Sequence, residues 1–375
     1  MNYRLKVSIA FVSLLALSSH VASQDERISD GMTEGWRSVA LTDTVRPKDK
    51  ASELRLLTPE EVSGNPKAAR VSQQAEIRLS LPGTRAALMS ENQVVILEKY
   101  LTGKASARST PIGNSISKSL VGLAVGKALC DGSIRSINDK AEQYVKGLSG
   151  TSWGDSSVRD LLRMASGAFR ADVSAGSGFK NQRDTMANRA IYSKDLRTDY
   201  IDMMKALDDR SSVPGREFNY NNYDTNALVL IVEAATKKKF AKYFEETIWQ
   251  EAGAESNGAW ITNNRGQVAG YFGFSATPRD WLRLGHYVLD ELSKTGCFSD
   301  FLRDATREQI PANWTFMKSY GYQIWTNCTR KAGSFCFLGF GGQQLIMHPG
   351  SNTALYVHGT TNESASPWRQ IFENF

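Results

Sequence analysis

Histidine is scarce in this chain of 375 residues: there are four, and His20 falls within the first 23 residues, just after the first apolar run. The other three, His286, His348 and His358, form no ligand pair, so each reads as structural and not as catalytic or metal-binding. Cysteine is equally sparse at four, and Cys130, Cys297, Cys328 and Cys336 lack the spacing of a zinc site. Long runs of one charge are missing too. The longest basic run, Lys237-Lys-Lys239, reads as a solvated helix end, so nucleic acid is not expected as a partner. There is no phosphate-binding loop and no dinucleotide glycine pattern, so neither a cofactor nor a metal is expected. Beyond the N-terminal region no apolar run is long enough to cross a bilayer, which argues against a membrane span in the mature chain.

What is present begins with an address. Met1 to Lys6 carries Arg4 and Lys6, Val7 to Ser19 is apolar but too short to span a membrane, and Val21-Ala-Ser23 supplies small residues before the polar Gln24-Asp-Glu-Arg27. Residues 1–23 therefore read as a signal peptide cleaved near Ser23. No cysteine follows the apolar run, so a lipid anchor is not expected, and the mature protein is expected to be periplasmic in a bacterium or secreted. Loss of Arg4 and Lys6 takes the formal charge from +6 to about +4. An oxidising compartment permits disulfides. Four cysteines allow three pairings; Cys328 and Cys336 flank a turn-like stretch and are placed to face each other, while Cys130 looks buried in a helix.

With 41% hydrophobic residues, the chain is long enough to bury one large core or two moderate ones. Residues 24–75 are polar, charged and weakly periodic, and read as an extension that wraps the surface or stays disordered. Arg85 to Tyr100 reads as a β-hairpin. Residues 131–260 are mainly helical: Ser157 to Gly167 looks like a capped helix with a glycine stop, Ala168 to Tyr192 like a long loop, and Pro214 to Asn222 like a turn entering an apolar helix, Thr225 to Ala235. A further helix is expected from Thr277 to Leu292. Strand-like runs follow at Tyr320–Trp325, Gln344–His348 and Ala354–His358, and Trp368 to Phe375 closes the chain as a helix. Strands towards both ends with helices between predict an α/β domain made of 76–130 and 261–375, with 131–260 inserted as a helical domain.

Ser115 stands just before the apolar run Ile116 to Cys130, with Lys118 three positions later. In a helix these side chains share a face, and the helix start adds free N–H groups and partial positive charge beside the hydroxyl. Burial favours neutral lysine, and a neutral amine beside a serine is an activated nucleophile. A helix-start serine is also an ordinary cap, and a second Ser-x-x-Lys occurs at Ser177–Lys180, so the tetrapeptide alone does not decide. Gly150-Thr-Ser-Trp-Gly154 matches the Gly-x-Ser-x-Gly elbow, but the polar Ala141 to Lys146 before it is no central strand, which argues against Ser152. Tyr220-Asn-Asn222 offers a tyrosine that a nearby cation would shift towards phenolate, making it a base, and an asparagine able to bond the lysine or a substrate amide.

Taken together, Ser115-x-x-Lys118, Ser157-Val-Arg-Asp-Leu-Leu-x-Met-x-Ser-Gly167 and Pro214-Gly-x-x-Phe-x-Tyr-x-Asn222, in this order, resemble the class C β-lactamase-like serine hydrolases from about Arg85 to the C-terminus. Phe274-Ser-Ala-Thr-x-Arg-Asp280 and Gly339-Phe-Gly-Gly-Gln343 narrow the likeness to the 6-aminohexanoate-dimer hydrolase subgroup. The resemblance implies an α/β, β-lactamase/transpeptidase-like fold: an antiparallel sheet flanked by helices, with the inserted helical domain. It also implies a small-molecule ester or amide substrate and an acyl-enzyme on Ser115, with Lys118 and Tyr220 sharing the proton. The oxyanion hole would be the N–H groups of Ser115 and Phe340, and Asn222, Phe337 and Gly339 would contact substrate.

The family's Lys-Thr-Gly or His-x-Gly motif departs here. The literal Lys294-Thr-Gly296 ends a helix and precedes the expected strand, so the matching position is Phe337-Leu-Gly339. A phenyl ring cannot hold a substrate carboxylate, which lowers β-lactamase and peptidoglycan DD-peptidase readings and favours a plain ester or amide. A non-catalytic ligand-binding homologue would not need Ser115, Lys118 and Tyr220 all intact. Nothing in the sequence indicates an oligomeric state.

Overall fold

The computed structural model describes residues 41–168, 198–208, 210–312, 317–362 and 365–375. Two strands and two helices come first: β1 (Leu41–Val45), β2 (Arg55–Leu56), α1 (Pro59–Gly64) and α2 (Pro66–Leu79). The hairpin β3 (Thr84–Glu91) and β4 (Val94–Tyr100) leads to α3 (Ile116–Cys130). The helical stretch carries α4 (Ser152–Asp155), α5 (Val158–Leu162), α6 (Tyr200–Leu207), α7 (Asn222–Thr236) and α8 (Phe240–Phe244). After β5 (Gly258–Thr262) and β6 (Phe274–Ser275) come α9 (Pro278–Ser293) and α10 (Cys297–Ala305). The chain then runs through β7 (Ile310–Pro311), β8 (Ser319–Tyr320), β9 (Trp325–Thr326), β10 (Phe335–Gly339), β11 (Gln343–His348), β12 (Thr353–Gly359) and α11 (Ala365–Asn374).

A nine-stranded sheet in the order β2-β4-β3-β12-β11-β10-β9-β8-β7 forms the body, and β1-β5-β6 make a smaller one. Apart from the parallel β2–β4 pair, all pairings in the large sheet are antiparallel. Alternate residues of a strand point to opposite faces. Ala86, Leu88, Phe335, Phe337, Leu345, Met347, Ala354 and Tyr356 pack into the core shared with α3 and α9. Their neighbours Ala87, Met89, Cys336, Ile346, Leu355 and Val357 pack into the core shared with α2 and α11. A sheet covered on both faces explains why β12 is buried at every position and reads as continuous apolar sequence. This is the expected antiparallel sheet flanked by helices.

Three differences from the sequence reading have local causes. Within residues 24–75, α2 is a regular helix opened by Asn65, whose side chain accepts from the N–H groups of Lys67 and Ala68. Ala68, Val71, Ala75 and Leu79 form its buried face, so α2 packs into the core under the large sheet and runs through the 75/76 boundary. The helix opened by the Ser157–Asp160 capping box stops at Leu162, well before Gly167, because Met164 turns left-handed at φ 56°. Tyr320 to Trp325 is two short strands joined by a loop in which Gln323 has φ 59°. The loop read at Ala168–Tyr192 lies, but for Ala168, outside the described residues, as does Ser177–Lys180.

Two disulfides pin the site's surroundings. Cys328–Cys336 closes the loop before β10, as the flanking positions suggested, and Cys130–Cys297 ties the end of α3 to the start of α10 across 167 positions. Among the described residues no helix is long and apolar enough to cross a membrane.

Candidate active site

Ser115 lies at the turn into α3, and its side chain makes no capping bond to the helix. The cap explanation of this serine therefore fails, and the hydroxyl is engaged elsewhere. Lys118, one turn on, donates from Nζ to Ser115 Oγ at 2.9 Å and to the carbonyl oxygen of Tyr271 at 2.8 Å. The lysine is 1% exposed, on a helix buried on every side from Ile116 to Gly126. No carboxylate is among the recorded ion-pair partners of this amine in the described residues. The rings of Tyr220 and Tyr271 lie 4.9 and 5.6 Å from Nζ. Such contacts favour the ammonium by about 0.5–2 kcal/mol, whereas full burial shifts a lysine by up to about 3–5 pKa units at 1.36 kcal/mol each. Desolvation wins, and the Lys118 pKa falls well below its ordinary value.

Tyr220 comes from the turn before α7. Its ring stacks on Trp325 at 5.5 Å and meets Tyr320 edge-on at 6.2 Å, and its hydroxyl shares a hydrogen bond with Ser115. The expectation of a tyrosine shifted towards phenolate is corrected here. Burial raises the Tyr220 pKa, and the bond to Ser115 offsets this only in part. The same burial lowers the Lys118 pKa, which weakens any cationic pull on the phenol. With the amine shifted down and the phenol shifted up, Lys118 is the better candidate base of the pair.

Asn221 caps α7 by accepting from the N–H of Tyr223 at 2.9 Å, and Asn222 is the first, half-buried residue of that helix. The amine's second acceptor is the Tyr271 carbonyl and not Asn222. Two close backbone approaches fix the nucleophile turn against its neighbours. A Cβ on Gly113 would lie 2.6 Å from the buried Trp281 ring, and one on Gly339 would lie 2.3 Å from the carbonyl oxygen of Gly113. Glycine is required at both for packing. The end of β10 is thereby brought against the turn, and Asn114 donates its side-chain amide to the carbonyl of Phe340 at 2.8 Å. Neither Ser115 nor Phe340 donates its backbone N–H to a recorded backbone acceptor among the described residues. Gly339 thus acts through its backbone and its lack of a side chain.

Phe337 requires a correction. It was expected to contact substrate, but it is fully buried in the core with Phe335 and the residues of α3. Strand alternation turns it into the sheet's covered face, so it presents neither charge nor contact surface to the site. Ser152 is a buried residue of the short helix α4, with no strand before it, which rules out the elbow arrangement. Lys294 closes α9 and pairs with Glu291, while Gly296 opens α10.

Three contributors had no readable signal. The Tyr271 carbonyl is a backbone group, and Asn114 is one polar residue in a turn. Gln323 is buried among strand-like neighbours, yet it joins three helices. Its carbonyl accepts from Ser119 of α3 at 2.6 Å, its Oε1 from Thr225 of α7 at 2.8 Å, and its Nε2 donates to the Leu161 carbonyl of α5 at 2.9 Å. Asn114 sits at a left-handed φ of 49°, which asparagine tolerates better than most residues.

Comparison with known proteins agrees with this geometry. Residues 68–373 match the Beta-lactamase family. A 6-aminohexanoate-dimer hydrolase from Paenarthrobacter ureafaciens is 26% identical over 293 residues, covering 75% of this chain and 73% of the relative. A solved structure described as a 6-aminohexanoate-dimer hydrolase from Bacillus anthracis superposes with a TM-score of 0.75 at 19% identity, over 93% of this chain and 92% of that one. A penicillin binding protein from Bacillus halodurans gives 0.61 at 16% identity, over 81% and 99%. At these identities the two structural likenesses establish the fold.

Proposed function

The chain belongs to the beta-lactamase family of serine hydrolases, and within it we propose an exported enzyme that cleaves a small ester or linear amide through an acyl-enzyme on Ser115. The observation that carries the proposal is the 2.9 Å bond from Lys118 Nζ to Ser115 Oγ, made by an amine whose pKa burial lowers. The Ser115 oxygen attacks the substrate carbonyl and its proton passes to Lys118. The N–H groups of Ser115 and Phe340 hold the resulting oxyanion, as backbone donors need no particular side chain. Tyr220, hydrogen-bonded to Ser115 and still carrying its proton, donates it to the departing alkoxide or amine and is reprotonated from Lys118. Water then attacks the acyl carbonyl and gives a proton to Lys118, which passes it to Ser115 Oγ as the acyl C–O bond breaks, releasing the acid and restoring both groups.

A β-lactamase or DD-peptidase would need a charge near the site to hold the substrate carboxylate, and Phe337 supplies none. A plain ester, or a linear amide with no carboxylate beside the scissile bond, fits better. Export follows from the reading of residues 1–23, and both disulfides suit an oxidising compartment. Labelling by a fluorophosphonate probe tests the nucleophile: wild type is expected to label and Ser115→Ala not to. Full labelling of the variant would overturn the assignment. Nitrocefin turnover at rates matching p-nitrophenyl esters would favour the β-lactamase alternative, and no turnover on esters, amides or nitrocefin would favour a ligand-binding homologue. Mass spectrometry of the protein recovered from a bacterial periplasm should find an N-terminus near Gln24.

A further inference from the structure

Phe340 is the only aromatic among the large apolar side chains that stand exposed in the described residues, at 56%. No ring stack or cation contact engages it there. An exposed ring on a loose loop would need no explanation, but this one is held on three sides. The Asn114 amide grips its carbonyl, the N–H of Gly341 donates to Asn362 Oδ1 at 2.9 Å, and Gly359 packs so closely that a Cβ there would lie 2.5 Å from the carbonyls of Gly341 and Gly342. The turn Phe340-Gly341-Gly342 has φ of 78° and 80° at its glycines, a shape other residues resist. A braced hairpin, bonded through the Phe340 carbonyl to the residue before Ser115, therefore carries a phenyl ring whose apolar area is still open to solvent.

We propose that the Phe340 side chain is a specificity-determining platform that receives an unbranched apolar chain flanking the scissile carbonyl. This rests on the hydrolase reading for its kinetic form, while the contact itself is a binding property. With its backbone already fixed, the ring gives up only its own rotamer freedom when a chain packs on it, and each methylene covered adds to binding in proportion to the apolar area removed from water. The class of substrate is then an ester or amide of a linear aliphatic chain, and short or highly polar homologues are poorer.

The test uses the full-length exported protein with Phe340→Ala and Phe340→Leu, on p-nitrophenyl acetate, butyrate and hexanoate and on acetate esters of lengthening alcohols. The readout is the ratio of kcat/KM for the longest to the shortest homologue, which cancels effects on the shared oxyanion donor. The ratio is expected to fall about tenfold in Phe340→Ala in one of the two series, as a half-covered chain of this length would give, and to recover partly in Phe340→Leu. An unchanged ratio in both series overturns the proposal. A second measurement needs no turnover. In a Ser115→Ala background, calorimetry with N-hexylacetamide and acetamide should show Phe340→Ala weakening only the hexyl compound, and equal affinities with and without the ring would overturn the proposal. Failed labelling of wild type by a fluorophosphonate would sink the hydrolase reading alone, and the calorimetric arm would still decide Phe340.

Discussion

Asn114, the residue before Ser115, is hydrogen-bonded through its side-chain amide to the carbonyl of Phe340 at 2.8 Å, across 226 positions of sequence. The bond sets the orientation of the peptide that leaves Phe340 and so the hairpin facing the nucleophile. Asn114→Gly keeps the left-handed backbone and removes only the amide. A hydrogen bond of this kind contributes about 0.5–1.5 kcal/mol, so kcat should fall roughly threefold to tenfold while KM moves less. An unchanged kcat on p-nitrophenyl acetate would show that the hairpin is positioned without it.

Lys118→Arg separates a base from a mere positive charge. Guanidinium stays protonated throughout the accessible range, so the variant should lose about 10²–10⁴-fold in kcat/KM. In wild type the amine's pKa is lowered by burial. Activity should therefore rise as pH increases through that lowered value and stay level up to the ordinary lysine range. Stability has the same sign: between the two values the unfolded chain binds the extra proton, so folding strengthens with pH. Substantial activity in Lys118→Arg would mean that the amine does not act as a base.

Asp224, fully buried in α7, accepts from Trp153 Nε1 at 2.9 Å and Ser166 Oγ at 2.6 Å. Burial outweighs these donors and pushes its pKa up to about 7. The folded protein then holds a proton that the unfolded chain has released above about pH 4, so this group's contribution is largest in acid and is lost as pH rises towards 7. Asp224→Asn cannot ionise. Denaturant midpoints at pH 5 and pH 8 should show the variant improving relative to wild type at the higher pH, and a pH-independent difference would contradict the burial argument.

Much of the framework was legible because it rests on local patterns. The hairpin, α3 and its Ser-x-x-Lys start, and the last two long strands all follow from apolar periodicity and turn residues. What escaped was set by tertiary position. The face of α2 is spaced as a helix, Ala68, Val71, Ala75 and Leu79, but charged residues between them masked it. Phe337 was placed by motif correspondence and, one pleat from its neighbours, turned inward. Tyr220 was assigned a lowered pKa on the premise of a nearby cation, and its own burial, which only the assembled fold shows, pushes that pKa up instead. Gln323 and the Tyr271 carbonyl join the site only when distant segments meet.

The grip of the Tyr271 carbonyl on Lys118 bears on how such a protein changes over time. A main-chain acceptor survives replacement of its own side chain, so this bond constrains the path of the chain at 271, and the residue there is held by the packing of its buried ring. Gly113 and Gly339 are held more tightly, since a single methyl at either would collide with ring or backbone. A lineage built this way can rewrite most of the wall around its serine while a few small residues stay frozen, and new substrates become reachable through ordinary mutation without rebuilding the machinery.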